Sequence, residues 1–466
     1  MSLLVKRIRE YQSYFCALFE TFLIIFGLWE MLTTFPLLYF YDGMARYSAM
    51  QGLLRGKVSP ISYSFVGPVF SLPLFLVENW HVATWLIPMK YNVFIFIAFI
   101  VAVHIAFRNH IDRGVLRKFF LILIMASMFG DQIKFFGGEV FTATLVGFGV
   151  LAITFGPEWL GWITIILGVV NTPATLAGLL CLSARKIWSE KRVWAIVVAV
   201  LVAIVAFIAI MAESWIRRGN PLNGGYGNQP FNTPLLIGLL SIIFSLNKGL
   251  LFFTPGLFLP VKQFVNEKLY TAYTLWISFV IGLILIYCKW WAWDGALFWG
   301  PRFFLVACIP ASFALATRLH RPSSSLLANV LTLIVLAWSL GVGIDGAIYD
   351  LGDLYQFCTT NNYQNGRLCQ YDPHYSPLDR AVTVHSPLSH DNKVFIAYSL
   401  FVFIWLAFPL LIAIIWQLRD VCITVLRRQH MVVLAGKRRR WRQSVFHLGQ
   451  SVSRDFGECS KNKKWL

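Results

Sequence analysis

The chain has 466 residues, of which 58% are apolar and 13% charged; its formal net charge is +18 and its mean hydropathy +0.65. Soluble domains carry about 25% charged and about 45–50% apolar residues, so a water-soluble enzyme is excluded. Apolar blocks recurring from Cys16 to Trp416 also exclude disorder, a small disulfide scaffold and a coiled coil, and the chain reads as an all-α polytopic membrane protein.

A helix rises 1.5 Å per residue, so crossing a hydrocarbon layer of about 30 Å takes about 20 apolar residues. In chain order, hydropathy predicts spans at 15–40, 91–107, 119–130, 140–155, 163–182, 194–211, 235–259, 271–287, 303–316, 326–342 and 394–416. The stretch 163–182 is interrupted by Asn171-Thr172-Pro173, which predicts a hairpin of two short helices and brings the count to about twelve helical segments. Glu20 and Glu30 inside the first span each need a partner. Residues 66–74 are apolar but contain Pro68 and Pro73, so they predict a re-entrant or surface-lying segment. The first span follows Lys6, Arg7 and Arg9 but has no small-residue cleavage site, so it is expected to stay as helix one.

Lys and Arg concentrate in six stretches: 1–14, 108–118, 184–192, 262–268, 318–321 and the tail from Arg419. Together they carry +20 by residue count, leaving −2 for the rest of a chain whose total is +18. This asymmetry predicts a multi-pass membrane protein with both termini cytoplasmic. Residues 1–418 then form a membrane domain and 419–466 a basic cytoplasmic tail, whose run Lys437-Arg438-Arg439-Arg440-Trp441-Arg442 suits anionic lipid rather than nucleic acid. The outer face receives residues 41–78, 131–139, 213–234, 289–302 and 345–392, which are rich in Trp, Tyr, Asn, His and Gly with isolated charges, a mixture suited to sugars and phosphates.

In the first outer loop, residues 44–54 put Tyr47, Met50 and Leu54 on one helical stripe with Arg46 elsewhere, as in an interfacial helix. Asp42 at its start is either a helix cap or a carboxylate placed to take a proton from an acceptor hydroxyl, and the two roles are compatible. Further on stand Arg218-Gly219-Asn220-Pro221-Leu222-Asn223-Gly224-Gly225-Tyr226, then Asn247-Lys248-Gly249-Leu250-Leu251-Phe252-Phe253-Thr254-Pro255, and then Trp290-Trp291-Ala292-Trp293-Asp294-Gly295 leading to Gly300-Pro301-Arg302-Phe303. Arg302 either snorkels at the interface beside an aromatic belt or offers a donor fork to a phosphate. In the last outer loop, His374 in Asp372-Pro373-His374-Tyr375-Ser376-Pro377 is a candidate substrate ligand or a surface residue. Cys358 and Cys369, eleven apart in an oxidising compartment, are a candidate disulfide. No zinc spacing occurs.

Taken together, Asp42 with Arg46…Leu53-Leu54-Arg55-Gly56, residues 130–140 ending in Glu139, Gly224-Gly225-Tyr226, the Lys248 and Arg302 motifs and Ser376-Pro377-Leu378 resemble the GT-C superfamily of integral-membrane glycosyltransferases. The likeness is to its protein-mannosyltransferase-like and lipopolysaccharide-core-transferase-like branch and runs from Tyr41 to about Pro377. The resemblance implies a GT-C-like bundle with outer juxtamembrane helices. It also implies an inverting glycosyltransferase that uses a polyprenyl-phosphate sugar and a glycan, lipid or protein acceptor, with Asp42 as catalytic base. Arg302, Lys248 and Arg46 would bind the donor phosphate, and Asp131, Glu139, Tyr226 and His374 the substrates. No cofactor is called for, no metal ligand is assigned, and a divalent cation is admissible. The chain departs from the family pattern in lacking an Asp-Glu or Glu-Lys pair beside Asp42 and a large C-terminal periplasmic domain. The rival class, a transporter or flippase of a lipid-linked saccharide, predicts charges near the bilayer midplane and inverted repeats.

Overall fold

The computed structural model describes residues 2–35, 41–80, 87–225, 229–295, 298–348, 371–373, 376–378 and 388–459, and these contain helices and no strands. The helices are α1 (Ser2–Thr33), α2 (Tyr41–Leu54), α3 (Val66–Val69), α4 (Leu72–Trp80), α5 (Tyr91–Phe107), α6 (Arg113–Met125), α7 (Phe129–Gln132), α8 (Glu139–Phe155), α9 (Glu158–Asn171), α10 (Leu176–Glu190), α11 (Val193–Arg218), α12 (Leu235–Phe244), α13 (Leu250–Phe253), α14 (Glu267–Tyr287), α15 (Cys308–His320), α16 (Leu326–Ile348) and α17 (His390–Cys459). Short 3₁₀ turns join several of them, including Pro173–Thr175, Pro255–Phe258 and Arg302–Ala307.

Seven segments among the described residues are long and apolar enough to cross a membrane: Tyr14–Thr33, Pro88–Phe107, Val193–Arg218, Glu267–Tyr287, Arg302–His320, Leu326–Ile348 and His390–Thr424. The protein is therefore an α-helical polytopic membrane protein. Two expected spans turn out shorter or broken. The one at 119–130 stops at Met125, where Ala126 leaves helical geometry. That at 235–259 ends at Phe244 and continues as α13 and a 3₁₀ turn, because Thr254-Pro255-Gly256 cannot sustain a helical ladder. The stretch 140–155 forms α8, and 163–182 divides at Asn171 and Pro173 into the expected pair of short helices, α9 and α10. The proline-bearing residues 66–74 form two short helices with Phe70 and Leu76 exposed.

Small residues set the closest helix approaches, as is usual where lipid supplies no hydrophobic drive. On α8 and α9, Gly149 and Gly161 face each other so closely that a methyl group on either would lie 2.7–2.8 Å from the other's carbonyl oxygen. On α10 and α14, Gly178 lies against the Phe279 ring, and a methyl group on Gly282 would lie 2.6 Å from the Gly178 Cα. Glu20 finds its partners on α6, accepting from Arg117 Nε at 2.6 Å and Lys118 Nζ at 2.7 Å. Glu30 leaves one buried carboxylate oxygen without a hydrogen bond.

The chain divides into two compact units. The first comprises Met1–Pro322 and Leu331–Pro409 and contains every residue considered below. The second comprises Ser323–Val330 and Leu410–Leu466, and inside it Gln417 accepts from Asn329 at 3.0 Å and donates to the Ser323 carbonyl at 2.8 Å.

Gly282→Leu should force α10 and α14 apart, costing about 1–3 kcal/mol and lowering the thermal unfolding midpoint in detergent. Gly341→Leu, where a side chain meets open space, should leave that midpoint unchanged.

Candidate active site

α2 is pinned by its apolar stripe. Tyr47 and Met50 are buried against Phe65, Phe75, Tyr91 and Phe136, while Leu54 at the helix end is exposed and Arg46, expected off the stripe, is buried as well. Asp42, in the first turn, is thereby fixed at one place. Its carboxylate accepts from Arg302 Nη1 at 2.8 Å and, on the other oxygen, from the Tyr63 hydroxyl. Both oxygens thus accept from side chains.

Arg302 arrives from 260 residues away. It opens the 3₁₀ turn Arg302–Ala307 after Gly300-Pro301. Gly300 has φ of +61°, a left-handed conformation that a side chain would strain. Gly295, with φ of +67°, packs so that a methyl group there would lie 3.1 Å from Arg302 Cγ and Nε. The guanidinium lies 3.7 Å from the centre of the Phe298 ring and 5.1 Å from that of Phe303. Its Nη1 is also 3.7 Å from Glu139 Oε1, at the N-terminus of α8, so one cation serves two carboxylates. Asn171 holds that N-terminus in place, donating to the Gly138 carbonyl at 2.8 Å and to Thr142 Oγ1 at 2.9 Å while accepting from the Gly67 amide at 3.0 Å.

Arg46 stands one turn beyond Asp42 on α2, with its guanidinium 4.8 Å from the centre of the Tyr63 ring. A methyl group on Gly138 would lie 2.6 Å from Arg46 Nη1, so the glycine leaves room for this cation. Arg46 Nε and Nη1, and Arg302 Nε, are buried N–H groups with no hydrogen-bond acceptor among the described residues. Burial pushes the Asp42 carboxyl up, but Arg302, the Tyr63 hydroxyl and Arg46 outweigh it and hold the group below the ordinary carboxylate range.

Lys248 is buried under the turn that carries Arg302, where its Nζ donates to the Phe298 carbonyl and, at 3.1 Å, to that of Gly300. Burial pushes it down to about 8, opposed by Asp294 and Asp131 and aided by Arg302. Asp131 is also buried, with Oδ2 accepting from Gln132 at 2.7 Å and Oδ1 lying 4.0 Å from Lys134 Nζ with no hydrogen bond among the described residues. Burial pushes its carboxyl up to about 7 against the pull of Lys134, Gln132 and Lys248. Beside it, Asp345 accepts from Trp299 Nε1 at 2.6 Å, and Lys134 donates to the Gly346 carbonyl at 2.6 Å.

Asp42, Arg302, Arg46 and Glu139 therefore share one place, whereas Lys248 and Asp131 are enclosed beneath it. Tyr226, His374, Cys358 and Cys369 lie outside the described residues. Sequence reasoning did not single out Tyr63 or Asp345, whose partners are distant in the chain, nor Phe298, whose ring lies under Arg302 four residues on. Among the described residues no group of three His, Cys, Asp or Glu side chains is arranged to hold a metal ion. Comparison of the chain with protein-family models, with curated proteins and with solved structures finds no match.

For Asp131, with its folded value raised to about 7, the folded state binds the proton more tightly than the unfolded chain does. The contribution to stability is complete below about pH 4 and is lost as pH rises through 7, by at most roughly 1.4 kcal/mol per pH unit. Asp131→Asn should remove this slope, so that its thermal midpoint gains on the parent's from pH 5 to pH 7 and levels off by pH 8. A constant difference across that range would contradict the assignment.

Proposed function

We propose that the chain is an inverting glycosyltransferase of the GT-C kind, with about twelve helical segments and both termini in the cytoplasm. It moves a sugar from a polyprenyl-phosphate carrier to a glycan, lipid or protein acceptor at the outer surface of the inner membrane. The observation that carries this reading is the Asp42–Arg302 pair at 2.8 Å, with Glu139 and Arg46 around it. A general base and a fixed guanidinium at one place are what the displacement of a phosphate from an anomeric carbon requires.

In this reaction the acceptor hydroxyl attacks the anomeric carbon and passes its proton to Asp42. The bond between that carbon and the phosphate oxygen breaks with inversion, and the electron pair leaves on the phosphate. Arg302 and Arg46 neutralise the leaving group; their buried N–H groups without acceptors suit a phosphate better than they suit a structural role. Lys248 acts through the Phe298–Gly300 turn, as a positioning residue for Arg302. Glu139 is the nearest candidate to orient the acceptor, and Asp131, Tyr226 and His374 remain assigned to substrate binding. A polyprenyl phosphate leaves readily, so the paired acid and base of a glycosidase are not needed, and a divalent cation is an admissible aid. The resting pair has a chemical consequence. A phosphate that draws Arg302 away leaves Asp42 a stronger base when the donor arrives. The basic tail is assigned to anionic lipid.

Transport of a lipid-linked saccharide is the second reading, favoured by the buried set Asp131, Lys134, Lys248 and Asp345. Purified protein given radiolabelled polyprenyl-phosphate sugars and a panel of acceptors should form glycosylated product. Asp42→Asn should lower turnover on the order of 10²–10⁴-fold with donor binding largely kept, and Arg302→Lys should also be impaired. Movement of the labelled lipid across vesicles without product would favour the transporter, and full activity in a folded Asp42→Asn protein would remove Asp42 from its role.

A further inference from the structure

We propose that Tyr63 is a positioning residue of this site: its hydroxyl holds the Asp42 carboxylate and its ring seats the Arg46 guanidinium, so that both stay in place when Arg302 turns to a phosphate. The inference rests on the transferase reading for what the site acts on, but the contacts that carry it are independent of that reading.

Tyr63 is the one neutral donor to Asp42 seen among the described residues, and an incoming anion has no charge with which to compete for it. Arg302 is in the opposite position, since a phosphate would attract it away. Tyr63 also lies in a segment fixed from outside. Arg217, near the end of α11, donates through Nη1 to the Ile61 carbonyl at 2.6 Å and to the carbonyl of Tyr63 itself. Arg218 reaches the Ile61 carbonyl at 3.2 Å, and Glu213, paired with Arg217 at 2.5 Å, accepts from the Phe65 amide at 3.0 Å. Ser62 donates to the Gly225 carbonyl at 2.6 Å. Three charged side chains are thus committed to residues 61–65, from which Tyr63 donates to the Asp42 carboxylate. A segment held this way sets an atom's position.

The groups facing Asp42 are Arg46 from its own helix, Arg302 from the 3₁₀ turn, Tyr63 from this segment and, through Arg302, Glu139 from α8. Removing the Tyr63 hydroxyl leaves the three charged ones in place. Infrared titration of the purified protein isolates the Asp42 carboxyl band as the one absent from Asp42→Asn. Tyr63→Phe should raise its midpoint by about one pH unit. Arg217→Gln, which frees the segment without touching Asp42, should produce a shift in the same direction, and the double variant should not exceed Tyr63→Phe by the sum of the two. Calorimetric titration with farnesyl phosphate should give Tyr63→Phe an affinity within about twofold of the parent, and Tyr63→Leu, which removes the seat of Arg46, a loss of about fivefold or more. An unchanged Asp42 midpoint in Tyr63→Phe overturns the proposal. If the midpoint moves as stated but the parent neither binds farnesyl phosphate nor turns over any polyprenyl-phosphate sugar, the positioning role stands and the transferase reading falls.

Discussion

The ion pair between Asp42 and Arg302 is the constraint on which the rest of the site depends. Two partly buried charges gain from pairing only when the geometry is good and the remaining lone pairs and N–H groups are served. Both ends must therefore be fixed independently, and they are. Asp42 is held because α2 presses Tyr47 and Met50 into an aromatic core with Phe75 and Phe136. Arg302 is held because Gly295 and Gly300 let the chain pass close and Lys248 ties the intervening carbonyls from below. Losing Arg302 would leave Asp42 and Glu139, two charges of one sign, without the cation they share.

Much of this was legible in the chain, for identifiable reasons. Hydropathy marks the long spans because a bilayer imposes a length, and the positions of Asp42 and Arg302 at span ends follow from it. The short helices were less legible. Residues 235–259 are apolar throughout, so composition cannot distinguish a crossing from the broken path that Ser245–Gly249 and Pro255 impose. The burial of Arg46 could not be read from its place on the helix, because it depends on Gly138 and the Tyr63 ring, neither of which is near in sequence. Tyr63 carried no signal at all, because a tyrosine between two serines has no period and no charge to mark it.

One signal was present and unused. Two thirds of the Lys and Arg residues gather in six stretches of the sequence, and those outside them stand against that bias. Arg217 binds Glu213 and two carbonyls, Lys134 binds the Gly346 carbonyl, Lys248 binds two carbonyls and Arg302 binds Asp42. Each of these cations has been recruited to hold a turn or an acid. The reverse case is Glu20, an acid whose partners Arg117 and Lys118 belong to one of the basic stretches. A charge that runs counter to the distribution around it has to be retained by structure, so such residues mark where irregular backbone is being fixed.

In the proposed reaction this arrangement separates two tasks that a single cation would confuse. A base held permanently by a guanidinium is too weak to take a proton from a hydroxyl, and a base without any donor would wander from its line of attack. With Arg302 exchangeable and Tyr63 fixed, the carboxylate keeps its direction while its basicity depends on where the arginine points. A negatively charged donor is what moves the arginine, so water meeting the empty site meets the weaker base. Coupling basicity to donor occupancy in this way suits a carrier-linked sugar, whose premature hydrolysis would waste an activated substrate. It also accounts for the placement of a cation and a base in direct contact at rest, an arrangement that would otherwise oppose catalysis.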